Sequence, residues 1–236
     1  MTVDGSYHHG NLRAALLERA EAVLTASGAE GLSLRGLARD LGVSHAAPSR
    51  HFRDRQALLD ALAVSGFTTL NARLRSAAAG GIDETDERVG AAGAAGAAGA
   101  AGAAGAAGAA GAYGAYGAAG PVGVRLAELG RAYVDFAVGH TALLDLMFTV
   151  KHADDSSAEL RELGHESLLI VARLMEAGQR TGAVRPGDPV QLAQVAFSTV
   201  HGLATLAVAS LLDDTPLSEA TELALEVLLA GLRPGR

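Results

Sequence analysis

The sequence predicts an all-α protein in two parts, a small N-terminal helical domain followed by a larger helical one. Two observations carry this. Apolar residues recur at intervals of three and four through most of the chain, and helix-capping residues alternate along it with glycines and prolines that end helices. The length of 236 residues is enough for one small and one medium domain, each with its own core.

Asn11 is a good N-cap for a first helix whose apolar set, Leu12, Leu16, Leu17, Ala20, Val23 and Leu24, runs at helical spacing towards Gly28. Ser33 then precedes Leu34, Leu37, Ala38 and Leu41, which line one face of a short helix. Gly42 falls where a left-handed residue is needed to end that helix, and Val43 supplies the buried turn residue. Ser44 is placed to cap a further helix, His45 to Phe52, that carries Arg50 and His51 on its polar side. Pro48, the fourth residue of this helix, cannot donate to the Ser44 carbonyl, so the helix is expected to be short and slightly distorted. Asp54 caps a fourth helix through Leu58, Leu59, Leu62 and Phe67, which should run to about Ala79 before the Gly80-Gly81 break. Two helices joined as closely as those in SLRGLARDLGVSHAAPSRHF can present one to a DNA groove. An ordinary helical hairpin has the same spacing, so spacing alone leaves both readings open.

Between Gly90 and Gly120 the chain repeats Gly-Ala-Ala, with Tyr113 and Tyr116 as the substitutions. Glycine at every third position without proline is a poor collagen sequence. The eleven glycines oppose a helix by roughly 1 kcal/mol each, or about 10 kcal/mol together, so the expectation is a flexible linker or insertion. From Pro121 the helical pattern resumes. Val124, Leu126, Leu129, Tyr133, Phe136 and Ala137 mark one helix, and Leu143, Leu144, Leu146, Met147 and Phe148 a second. Leu160 to Met175 marks a long third. Asp188 caps QLAQVAFSTVHGLATLAVASLL, which is apolar over most of its circumference and must be covered on more than one side. The last helix, about Leu217 to Leu232, is amphipathic.

Residues 1–65 hold seven arginines and seven acids, so the rest of the chain carries the whole net charge of -7. A neutral domain grips phosphate only if its arginines share one face, helped by His8, His9, His45 and His51 where these are protonated. The absence of cysteine removes disulfides, thiolate metal sites and cysteine nucleophiles, and fits a reducing cytoplasm. No apolar leader or stretch of transmembrane length occurs, so no membrane partner is expected. His165-Glu166 lacks the second histidine of HExxH, the glycine repeat lacks the lysine of a phosphate-binding loop, and no Gly-x-Ser-x-Gly elbow is present. Asp154-Asp155 beside His152 reads as solvated or capping carboxylates. Neither an enzyme, nor a cofactor, nor a metal is expected.

The block from Tyr7 to Leu62 resembles the N-terminal domain of the TetR family of transcriptional regulators. The first helix, the hinge from Gly28 to Gly31, the helix-turn-helix and an HFxxRxxLL exit occur in that order. The resemblance implies four regions: a helix-turn-helix DNA-binding domain over 7–62, a connecting helix and break over 63–89, the repeat over 90–120, and a helical ligand-binding and dimerisation domain over 121–232. It places His45, Ala46, Ala47 and Arg50 in the major groove, with Arg50 suited to guanine. Phosphate contacts fall on Ser33, Arg35, Ser49, His51 and Arg55, although Ser49 stands where the family commonly has tyrosine. The last two long helices would pair with their twins in a homodimer, with His201, Gly202 and Leu206 in the interface, and two recognition helices would then read a palindromic operator. A small apolar effector would sit among Phe136, Met147, Phe148, His165, Met175 and Phe197 and release the protein from DNA, making it a repressor. Each of these side chains also fits an ordinary core. The alternative is a small-molecule-binding helical protein with weakened DNA recognition.

Overall fold

A computed structural model describes residues 12–79, 120–153 and 156–235. Asn11, most of the Gly-Ala repeat and the Asp154-Asp155 pair lie outside them. The described residues form α1 (Leu12–Ser27), α2 (Leu34–Asp40), α3 (Arg55–Ala79), α4 (Gly120–Gly139), α5 (Thr141–Lys151), α6 (Ala158–Arg180), α7 (Pro189–Val208) and α8 (Leu217–Leu232). Short 3-10 turns occur at Ala29–Gly31 and Pro48–Arg50. No strand occurs among the described residues, and no single helix there is long and apolar enough to cross a membrane.

The helices group into two units that do not follow chain order. One comprises Met1–Thr69 with His140–Gly164, the other Leu70–Gly139 with His165–Arg236. Boundaries read from sequence fall at single points along the chain, whereas α5 and the start of α6 cluster with the first unit. The reason is tertiary: α5 packs on α1, His140 Nδ1 meets Glu21 Oε1 at 3.1 Å, and Asp60 accepts the Ser157 N–H at 3.0 Å. The core of this unit is built from Leu16, Ala20, Leu24, Leu37, Phe52, Leu58, Leu62 and Phe67, all nearly inaccessible.

In the second unit α4, α7 and α8 pack against one another. The inward face of α7 is small, with Ala193, Ala196, Val200 and Ala204 at helical spacing, which lets the neighbouring backbones approach. Gly130 of α4 lies directly under the buried Leu225 of α8, and a Cβ there would overlap Leu225 Cδ2. Arg131 of α4 ties the same two helices through a bidentate pair with Glu222, at 2.6 and 2.8 Å. The start of α7 is as expected, with Asp188 Oδ1 accepting the N–H groups of Val190 at 2.8 Å and Gln191 at 3.4 Å.

Candidate nucleic-acid interface

The first helix of the helix-turn-helix begins as its sequence demands. Ser33 is extended (φ -147°, ψ 141°) and its Oγ accepts the Gly36 N–H at 3.0 Å, satisfying one of the amides left over at a helix start. The helix ends on Gly42, whose φ of +66° only glycine adopts without strain. The Val43 N–H reaches back to the Ala38 carbonyl at 3.0 Å and the Gly42 N–H to Arg39 at 3.1 Å, the paired bonds that close a helix on a left-handed residue.

The second element corrects the sequence reading. His45 to Phe52 is not an α-helix but a turn at 45–47 followed by the 3-10 turn Pro48–Arg50. Pro48 has no N–H to give the Ser44 carbonyl, which takes the Ala47 N–H instead at 2.9 Å. The chain stays wound by three-residue bonds from Arg50 to Ala47 and from His51 to Pro48. Ser44 therefore serves the turn through its carbonyl and caps no helix. The segment still has two sides. Pro48 and Phe52 are buried, while His45, Ala46, Ser49, Arg50 and His51 are exposed and Ala47 is half-buried. The Arg13 guanidinium stands 5.6 Å from the centre of the Phe52 ring, pinning that inner side to α1.

Ser33 and Arg35 are exposed beside this segment. Arg55 is different, because two of its donors go to backbone: Nε to the Leu32 carbonyl at 3.1 Å and Nη2 to the Ala29 carbonyl at 2.6 Å. It clamps the first turn of α3 to the loop that opens the helix-turn-helix, so its first duty is structural. Sequence reading missed this, since the partners lie 23 and 26 residues away. It also missed Arg19, whose Nε and Nη2 both donate to Asp40 Oδ2, at 3.0 and 2.8 Å. These hydrogen bonds hold the Asp40 carboxyl below its ordinary pKa.

The side chains expected at an effector site are distributed over both units. Met147 and Phe148 belong to the first, where the Phe148 ring meets Phe67 edge-on at 5.8 Å. Phe136, His165, Met175 and Phe197 belong to the second. There Phe136 and Met175 are fully buried and His165 is exposed on α6. Phe197 stacks on His201 with centroids 5.1 Å apart and meets Tyr133 edge-on at 5.6 Å. His201, expected at a dimer interface, is half-buried, and its Nδ1 shares a 2.7 Å hydrogen bond with the Tyr133 hydroxyl. Burial pushes that hydroxyl well above its ordinary pKa. Gly202 has open space where a Cβ would stand, and Leu206 is 44% exposed.

The outer side of α7 and α8 is apolar. Val195 is 57% exposed, Leu223 60% and Val227 64%. A groove of about 490 Å³ on this side is lined by Thr199, Leu211, Leu212, Leu223, Val227 and Leu228, among others. No group of acidic and histidine side chains among the described residues could hold a metal ion.

A capped short helix followed by an exposed, two-sided turn, in a chain of long helices, is the arrangement expected of an all-α DNA-binding regulator. The family model for bacterial regulatory proteins of the tetR family matches residues 16–62, and that for the tetracyclin repressor-like C-terminal domain matches 126–232. A structure of a protein of unknown function from Rhodococcus sp. RHA1 is 41% identical, with 97% of this chain and 99% of that one covered and a TM-score of 0.77. The TetR family transcriptional regulator PfmR from Thermus thermophilus shares the fold at 16% identity, covering 92% and 98% of the two chains, with a TM-score of 0.61. FadR from Bacillus subtilis, solved in complex with stearoyl-CoA, does so at 16% identity, covering 94% and 100%, with a TM-score of 0.63. No curated protein matches the chain. The chain belongs to the TetR family of transcriptional regulators, with a DNA-binding N-terminal domain and a tetracyclin repressor-like C-terminal domain.

Proposed function

We propose that the protein is a repressor that binds a palindromic operator as a homodimer and leaves it when a small molecule occupies its C-terminal domain. The observation that carries this reading is the two-sided recognition segment. Its inner side is fixed by the buried Pro48 and Phe52, and its outer side offers Arg50, His45, Ser49 and His51 to solvent. An arginine presented in this way suits the two acceptors of guanine, and a serine or histidine suits a phosphate oxygen. Ser33, Arg35 and, with its remaining donors, Arg55 complete the phosphate set.

The exposed apolar side of α7 and α8 supports the homodimer, because apolar surface of this kind on helices marks an interaction site. Two copies related by a two-fold axis through Gly202 and Leu206 would cover it and set the spacing between the recognition segments. FadR, a fold relative with a bound acyl-CoA, supports an effector with a large apolar part. Arg50→Ala tests the reading head. On a duplex selected for wild-type binding, the variant should lose about 1–3 kcal/mol and relax preference at one base position. Unchanged affinity and preference would remove Arg50 from the groove.

A further inference from the structure

From Ser44 to His51 the recognition segment exposes Ser44, His45, Ala46, Ser49, Arg50 and His51. Ala46 is the one member of that exposed set whose side chain can neither donate nor accept a hydrogen bond. Local structure does not ask for it. The Ala47 N–H donates to the Ser44 carbonyl at 2.9 Å, which makes Ala46 the third residue of a four-residue turn, where glycine, asparagine, aspartate and serine are the usual choices. It lies outside any helix, so the helix propensity of alanine gains nothing there. It also lies outside the core.

A methyl group displayed among hydrogen-bonding side chains has one counterpart on the edges of the base pairs. In the major groove the C5-methyl of thymine is the feature read by apolar contact, while the other edge groups are donors and acceptors. The winding of the segment sets where that contact falls. The Arg50 N–H donates to the Ala47 carbonyl at 3.3 Å and the His51 N–H to the Pro48 carbonyl at 2.9 Å. Three-residue hydrogen bonds of this kind advance the chain by about 2 Å per residue. Ala46 and Arg50 then stand about 8 Å apart along the segment, and with a base-pair rise of about 3.4 Å they address base pairs two or three steps apart. An α-helix would shorten the interval to about 6 Å.

We propose that Ala46 reads thymine: its methyl packs on the C5-methyl of a thymine two or three base pairs from the guanine contacted by Arg50, and so fixes a second base of each half-site. The proposal rests on the DNA-reading role above and deepens it from one base to two.

The test removes one methyl group from the DNA. A palindrome selected from a random duplex library by the full wild-type chain is resynthesised with deoxyuridine in place of each half-site thymine in turn, which deletes the C5-methyl and keeps the base pairing. Fluorescence anisotropy gives the affinity. At one thymine, two or three base pairs from the guanine, the replacement should weaken wild type about threefold to fourfold, and about tenfold when made in both half-sites. In Ala46→Gly the same replacement should change affinity by less than about 1.5-fold, because any general loss from a looser backbone is common to both duplexes and cancels in the cycle. Selection with Ala46→Gly should keep the guanine and lose the thymine. Absence of thymine from that interval, equal affinity of wild type for the thymine and uracil duplexes, or a uracil effect as large in the glycine variant overturns the proposal. Loss of the guanine together with the thymine in that variant also overturns it, since Ala46 would then shape the segment instead of reading a base. A library that stays random with wild type would overturn the regulator reading and this proposal with it, whereas a palindrome without methyl dependence overturns the proposal alone.

Discussion

Ser33 can be made to separate folding from DNA binding. Its Oγ accepts the Gly36 N–H, while its hydroxyl proton remains available to a phosphate. Ser33→Ala removes both and should lower stability by about 1 kcal/mol, the usual worth of an N-cap. Ser33→Asp keeps the acceptor and adds negative charge where the helix start favours it, so stability should stay within about 0.5 kcal/mol of wild type or rise. At a phosphate the same carboxylate is repelled. Two unit charges about 4 Å apart interact by ~1 kcal/mol in bulk water and ~4 kcal/mol near a protein surface, so about 1–2 kcal/mol, or roughly tenfold in affinity, is expected at this exposed position. Urea unfolding gives the first quantity, and titration of a random-sequence duplex at low salt gives the second. Asp binding DNA as tightly as wild type would show that no phosphate approaches Ser33, and Asp as unstable as Ala would refute the capping argument.

Three further outcomes follow from named contacts. Asp40 has a folded pKa below its ordinary 3.8, so the Arg19 bridge stabilises fully above that value and its contribution is lost as pH falls through the lower folded value. The urea-midpoint gap between wild type and Asp40→Asn should therefore close on acidification, and a gap that widens would reverse the sign. Gly130→Val forces atoms into Leu225 and should cost about 1–3 kcal/mol in urea unfolding, whereas a neutral effect would mean that α4 and α8 part easily. Val227→Glu, at a position 64% exposed, should leave DNA-free folding intact yet shift light-scattering mass from dimer to monomer. A persistent dimer would place the interface elsewhere.

Helix limits were legible where local chemistry sets them. Asp188 caps α7, and Asp54 caps the start of α3 through the Ala57 N–H at 2.7 Å. The recognition segment was half legible. Pro48 announced a missing hydrogen bond, but whether the chain recovers as an α-helix or a 3-10 turn depends on the burial of Pro48 and Phe52 against distant residues. The family resemblance implies a phosphate role for Arg55, whereas its carbonyl partners at Ala29 and Leu32 leave no trace in spacing. The grouping of α5 with the first unit was hidden for the same reason, being decided by His140 meeting Glu21. Effector residues were least legible, since Phe136 and Met175 are what any helical core requires.

The central claim is that the segment from Ser33 to Phe52 reads DNA. Selection of purified wild-type protein against a random duplex library tests it most directly. The expected result is enrichment of a palindrome whose half-sites contain a guanine that Arg50→Ala no longer selects, with affinity falling steeply as salt rises. A library that stays random through repeated rounds would contradict it.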